Sequence, residues 1–195
     1  MADRRQTRTA AERGLLWGSI VLAVISIALI VVGLFTSQSS VGGARTIAGT
    51  PPRNAAPVVG YYAPDFTLRD LTNTAVHLRD LRGHPVILNF WYLACEGCRQ
   101  EMPLLQTAYV THEAGGTIVL GININDGPSD AKPFAHHLGI TYPLIFDSHQ
   151  TVLSVYTITA TPSSFFIDRD GIIRATQIGE LDTATLTRDL TAIGA

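Results

Sequence analysis

The sequence predicts an α/β domain, a sheet covered by helices on both faces, carried behind a single membrane-spanning helix. Three observations predict it. Gly14 to Phe35 is an unbroken, uncharged apolar run. From Ala63 onward, short apolar runs of strand length alternate with helix-like segments. The last two strand-like runs, "SSFFID" and "GIIRATQIG", are joined by a tight "DRDG" turn instead of a helix.

Residues 1–13 carry Arg4, Arg5, Arg8 and Arg13 and read as a cytoplasmic N-terminus. Residues 14–35 as a helix would span roughly 33 Å, enough to cross a bilayer core. The run is apolar on all faces, which argues against a buried core helix. It exceeds the roughly 7–15 residues of a signal-peptide core, so it is read as an uncleaved signal anchor. The small residues that follow, "SQSS" and "GGA", leave cleavage as the alternative. Only Arg45 and Arg53 follow before the domain, and the positive-inside rule then exports the remainder. The expected location is the cell membrane, single-pass, with the domain extracytoplasmic, where disulfides form and persist. Residues 36–62, rich in Ser, Gly, Ala, Pro and Thr, read as a flexible linker.

Residues 63–195 read as one domain. "DFTL" and "AVHL" predict an N-terminal hairpin. "PVILNFWY" is continuous and apolar, the signature of a fully buried strand. A helix is expected from about Cys95 to His112, with a bend at Pro103, which cannot donate to the Arg99 carbonyl. "TIVLGINI" is the next buried strand. "SDAKPFAHHL" predicts a short helix capped by Ser129 or Asp130. "YPLIF" is a strand and "TVLSVY" a short helix; the closing hairpin follows. "LDTATLTRDLTAI" predicts a final amphipathic helix capped by Asp182.

The formal net charge of −2 gives no electrostatic footprint for nucleic acid. The chemistry rests on its only two cysteines, Cys95 and Cys98. Cys95 follows the buried strand at the start of the predicted helix, the end of an open α/β sheet where ligands gather. Unpaired N–H groups and the helix dipole there favour thiolate over thiol. Spacing of three residues puts both sulfurs on one helix face, within disulfide reach. Cys95 can attack a foreign disulfide and Cys98 can resolve the mixed disulfide.

Three other readings compete. A structural staple closing so short a loop would restrict the unfolded chain little. A copper-binding or delivery module would use soft thiolates, but there is no second CxxC, and His136 and His137 lie on another predicted helix. A peroxidatic cysteine would need Pro and Thr upstream, where Leu88 and Tyr92 stand. Glu101 lies three residues beyond Cys98 and can carry its proton if partly buried. Its alternative is a surface glutamate. Trp91 and Tyr92 are candidate core and rim residues, with Trp91 also a candidate client contact.

"APDFTLRDL", "VHLRDLRGHPVILNFW", "CEGCRQEMP" and "TPSSFFIDRDGIIR" together resemble the membrane-tethered thiol–disulfide oxidoreductases of the TlpA/ResA/DsbE type, across 63–195. The resemblance implies a thioredoxin-like fold. It implies Cys95 as attacking and Cys98 as resolving thiol, Glu101 as the site acid, and Pro162 as a cis-proline facing the pair. Thr161 would then offer its backbone to an incoming strand. No cofactor or metal is implied. The implied partners are exported proteins with disulfides, notably the haem-binding cysteines of apocytochromes c, and a membrane electron donor of the thiol-transfer type. Two positions depart from the pattern. Ala94 stands where a larger residue often precedes the first cysteine, and Gly97 where proline often separates the pair.

Overall fold

The computed structural model describes residues 54–195. The expected span at 14–35, and the linker as far as residue 53, lie outside the described residues. In chain order the described chain forms β1 (Thr67–Asp70), β2 (Ala75–His77), a 3-10 turn (Leu78–Leu81), β3 (Val86–Trp91) and α1 (Glu96–His112). A second 3-10 turn (Glu113–Gly115), β4 (Ile118–Asn123), α2 (Pro128–His137), β5 (Leu144–Phe146), α3 (Thr151–Val155), β6 (Ser163–Ile167), β7 (Ile173–Ile178) and α4 (Thr183–Ile193) complete it. Among the described residues, no helix is long and apolar enough to cross a membrane.

The strands make one seven-stranded mixed sheet in the order β2-β1-β5-β4-β3-β6-β7. β3, β4 and β5 are parallel, and β6, β7, β1 and β2 extend them antiparallel. Every residue of β3 is buried, as its run, apolar but for Asn89, requires of a strand packed on both faces. The alternation of its side chains divides two cores. Ile87 and Trp91 face Met102 and Leu105 of α1 and Leu186 and Leu190 of α4. Val86, Leu88 and Phe90 face Leu78, Val152 and Tyr156. Tyr156 sits edge-on to Phe165 at 5.0 Å, and its hydroxyl donates to the Pro64 carbonyl.

Two local expectations differ from the structure. The linker was expected to run through residue 62, yet residues 55–62 pack on the domain. Gly60 N–H donates to the Ile173 carbonyl, Ile173 N–H to Tyr61, and Arg82 lies 5.2 Å over the Tyr62 ring. Polar composition hid these backbone bonds, which satisfy part of the β7 edge. Helix α2 starts at Pro128 with Gly127 as its cap, so Ser129 and Asp130 lie inside the first turn. Proline at the first helical position, whose missing N–H would go unused there, outcompetes a side-chain cap. Helix α1 spans the expected stretch as one element with Pro103 inside it. Asp182 does cap α4, accepting from Thr185 N–H at 2.6 Å.

Gly121 of β4 lies beside Asn89 of β3. A Cβ there would meet Leu144 Cδ2 at 2.6 Å and both Trp91 Nε1 and Tyr142 Cε2 at 3.1 Å. Gly121→Ala is expected to destabilise the domain by about 1–3 kcal/mol through overpacking. A lowered denaturant midpoint would register it, and an unchanged midpoint would show that these side chains yield freely.

Candidate active site

The buried strand β3 ends at Trp91, and the chain turns through Tyr92–Cys95, closed by a bond from Cys95 N–H to the Tyr92 carbonyl at 3.2 Å. Cys95 is then the N-cap of α1. Its sulfur accepts from Cys98 N–H at 3.2 Å, taking one of the unpaired donors of the first helical turn. Cys95 and Cys98 form a disulfide with Cα atoms 5.3 Å apart. Cys95 keeps 6% of its surface exposed and Cys98 none, so an incoming sulfur reaches Cys95 first.

Glu101 points inward from the same face of α1 and is 1% exposed. Oε1 accepts from Asn89 Nδ2 at 2.6 Å, and Oε2 accepts from Leu181 N–H at 2.8 Å. Asn89 Nδ2 also donates to Ser164 Oγ at 3.0 Å, across the β3–β6 pair. Burial pushes the Glu101 carboxyl up to about 7, against the pull of the Leu181 and Asn89 hydrogen bonds. The Glu180 carboxylate adds a smaller push in the same direction. A proton carrier one helical turn from Cys98 is thereby poised near neutral pH. The surface reading of Glu101 is excluded by its burial.

The peptide bond between Thr161 and Pro162 is cis. Pro162 packs directly against the cysteine loop: a Cβ built on Gly97 would lie 3.3 Å from Pro162 Cδ and 3.7 Å from a Glu180 carboxylate oxygen. Gly97 therefore provides the room in which Pro162 and Glu180 approach the pair. Ser163 Oγ donates to the Ala160 carbonyl, and Gly179 N–H to the Pro162 carbonyl, fixing the turn. Among the described residues, the Thr161 N–H and carbonyl take no backbone partner, and the residue is half-buried.

Trp91 does not meet the expectation of client contact. It is fully buried and stacks on Phe134 at 5.7 Å, behind the cysteine turn. Its position on β3 puts it on the inner face, where the indole fills the α1 core. His136 and His137 are both exposed on α2. Asn89, Ser164, Glu180 and the Leu181 N–H belong to the site without having been singled out in the sequence. Asn89 had a signal: an amide inside a run of buried strand residues needs a partner.

Residues 59–176 match the model of the AhpC/TSA family. The chain belongs to that family. Within the AhpC/TSA family its similarity runs to thiol–disulfide oxidoreductases. It is 33% identical over 138 residues to the thiol-disulfide oxidoreductase ResA of Geobacillus kaustophilus, covering 71% of this chain and 79% of that protein. To ResA of Bacillus subtilis it is 28% identical over 131 residues, 67% of this chain and 70% of that one. Among solved structures, a DsbE-type thiol:disulfide interchange protein from Chlorobium tepidum superposes with a TM-score of 0.63 at 30% identity, over 68% of this chain and 96% of that one. The fold is thioredoxin-like, and the AhpC/TSA member described here is a thiol–disulfide oxidoreductase carrying a Cys95–Cys98 pair.

Proposed function

We propose that the protein is a membrane-anchored, extracytoplasmic reductase that returns disulfides of exported proteins to dithiols, with apocytochrome c cysteines as its client class. The observation that carries the reducing direction is the set of three glutamates on and beside the cysteine segment. Glu101 is buried one helical turn beyond Cys98, Glu180 stands against Gly97, and Glu96 sits between the cysteines, with Arg99 at 3.6 Å and Gln100 Nε2 donating at 3.2 Å as its partners among the described residues. Negative charge disfavours a thiolate, whereas a pair whose thiolate is stabilised becomes a strong oxidant. The carboxylates oppose the helix N-terminus and favour the disulfide form of this protein, which makes its dithiol the better reductant. The client class follows the resemblance to the TlpA/ResA/DsbE type, and the anchor follows the uncharged run at 14–35 with its preceding arginines.

In the reducing cycle, Cys95 thiolate attacks one client sulfur, forming a mixed disulfide and expelling the other client sulfur as a thiolate that takes up a proton. Glu101 carboxylate then accepts the proton of Cys98. The Cys98 thiolate attacks Cys95 Sγ, the Cys95–Cys98 disulfide closes, and the second client sulfur leaves. Two electrons pass to the client, and a membrane thiol donor restores the dithiol. The Thr161 backbone holds the client segment extended across the pair.

Equilibration of the protein in dithiothreitol redox buffers tests the direction. A reduction potential more negative than about −200 mV is expected, and a value near −120 mV would reassign the protein as an oxidant.

A further inference from the structure

We propose that Asp126, in the loop between β4 and α2, is a positioning residue for Cys95 in the exchange reaction. The register of the parallel pair ends at Trp91 opposite Asn123, with Ile124 N–H donating to the Trp91 carbonyl at 3.1 Å. Beyond that point β3 leaves the sheet and enters the turn that delivers Cys95. The bond closing this turn joins its ends and does not use the N–H of Leu93, its second residue. Asp126 Oδ2 accepts that N–H at 2.7 Å. A carboxylate thereby carries the β3–β4 connection past the last backbone rung and fixes the middle of the cysteine turn.

The carboxylate is itself held. Asn123, 1% exposed, donates from Nδ2 to Asp126 Oδ2 at 3.0 Å. Asn123 Oδ1 accepts the N–H groups of Asn125 at 3.1 Å and Asp126 at 2.7 Å. Four bonds thus converge on one buried amide and one half-buried carboxylate, and their single outward product is the clamp on Leu93. Hydrogen bonds to an ionised acceptor are among the stronger ones in proteins. Cys95 must present its sulfur in line with a client disulfide, so the turn that sets its direction sets the rate of attack. Cys98 attacks Cys95 Sγ from within α1, where its own N–H already holds that sulfur at 3.2 Å, so resolution leans less on this turn than attack on a client does.

The proposal separates the two half-reactions, and the test reads both in the full-length protein. Asp126→Ala is expected to speed exchange of the Leu93 amide with solvent, and to lower kcat/KM toward a disulfide-bonded peptide, each by roughly tenfold, the scale of one lost charge-assisted hydrogen bond. Release of peptide from a preformed Cys95 mixed disulfide should stay closer to its wild-type rate than attack does. Asp126→Asn should restore attack, because an amide oxygen at the place of Oδ2 accepts both donors. If Asp126→Ala does not fold, Asp126→Ser, whose hydroxyl is one bond shorter, takes its place. Wild-type Leu93 protection and attack in the Ala or Ser variant would overturn the proposal. So would an equal slowing of attack and resolution, or failure of Asp126→Asn to rescue.

Discussion

Cys95→Ser is expected to abolish disulfide reduction, a loss on the order of a thousandfold or more, because no other group can open the client disulfide. Cys98→Ser should give a different phenotype. Its first half-reaction is intact, so a Cys95–client mixed disulfide should accumulate in one-to-one stoichiometry and remain after alkylation of free thiols. Non-reducing electrophoresis followed by mass spectrometry reads both outcomes and names the trapped clients. The asymmetry rests on exposure: Cys95 retains 6% of its surface, and Cys98 is fully enclosed by α1 and β3. Trapping by the Cys95→Ser variant in place of the Cys98→Ser variant would reverse the assignment of roles.

Glu101→Gln is expected to remove both a pH-dependent rate and a pH-dependent stability. The carboxyl titrates near 7 in the folded chain against an ordinary value of 4.5. Between those values the folded state holds a proton that the unfolded state has released. Stability must therefore fall as pH rises through about 4.5 to 7, by on the order of 3 kcal/mol for a difference of about 2.5 units. The glutamine variant lacks this slope, and its denaturant midpoint should respond less to pH in that window. Among the described residues Asn89 Oδ1 has no partner, so a flipped Asn89 amide can receive the new Gln Nε2 donor without loss of the fold. The rate should move the other way. Above pH 7 the wild-type carboxylate accepts the Cys98 proton, and the variant should resolve mixed disulfides about a hundredfold more slowly, the low end of what a positioned base supplies. Stopped-flow release of a labelled peptide across pH 5–9 measures it. A variant with the wild-type profile would leave Glu101 a purely structural residue.

The strands were legible because burial on both faces writes itself as near-continuous apolar runs, as in "VILNFW". The cysteine pair was legible because its chemistry is local: one strand end, one helix start and a spacing of three. The partners of Glu101 were not. Asn89 precedes it by 12 residues and Leu181 follows it by 80, and a backbone N–H has no sequence signature. Trp91 misled for a related reason. Proximity in sequence to Cys95 added client contact to its candidacy as a core residue, while strand alternation turned the ring inward onto Phe134. The order in residues 55–62 was hidden because its bonds are backbone to backbone, which polar composition neither requires nor forbids. Asn123 lay within the predicted strand "TIVLGINI" and Asp126 just beyond it, and neither was singled out; the end of β4 places them beside the cysteine turn.

The bond from Leu181 N–H to Glu101 has a consequence for biosynthesis. Chains emerge N-terminus first, at about 5–20 residues per second. The cysteines and Glu101 are made long before Ser164, Glu180 and Leu181. Until β6, β7 and the segment leading to α4 arrive, Glu101 has lost one of its two donors and the pair lacks its neighbours from the second half of the chain. A nascent polypeptide can thus expose both thiols before it possesses the proton relay that makes them efficient. The tuned acid therefore requires synthesis past Leu181, and a chain released short of that residue carries the cysteine motif without it.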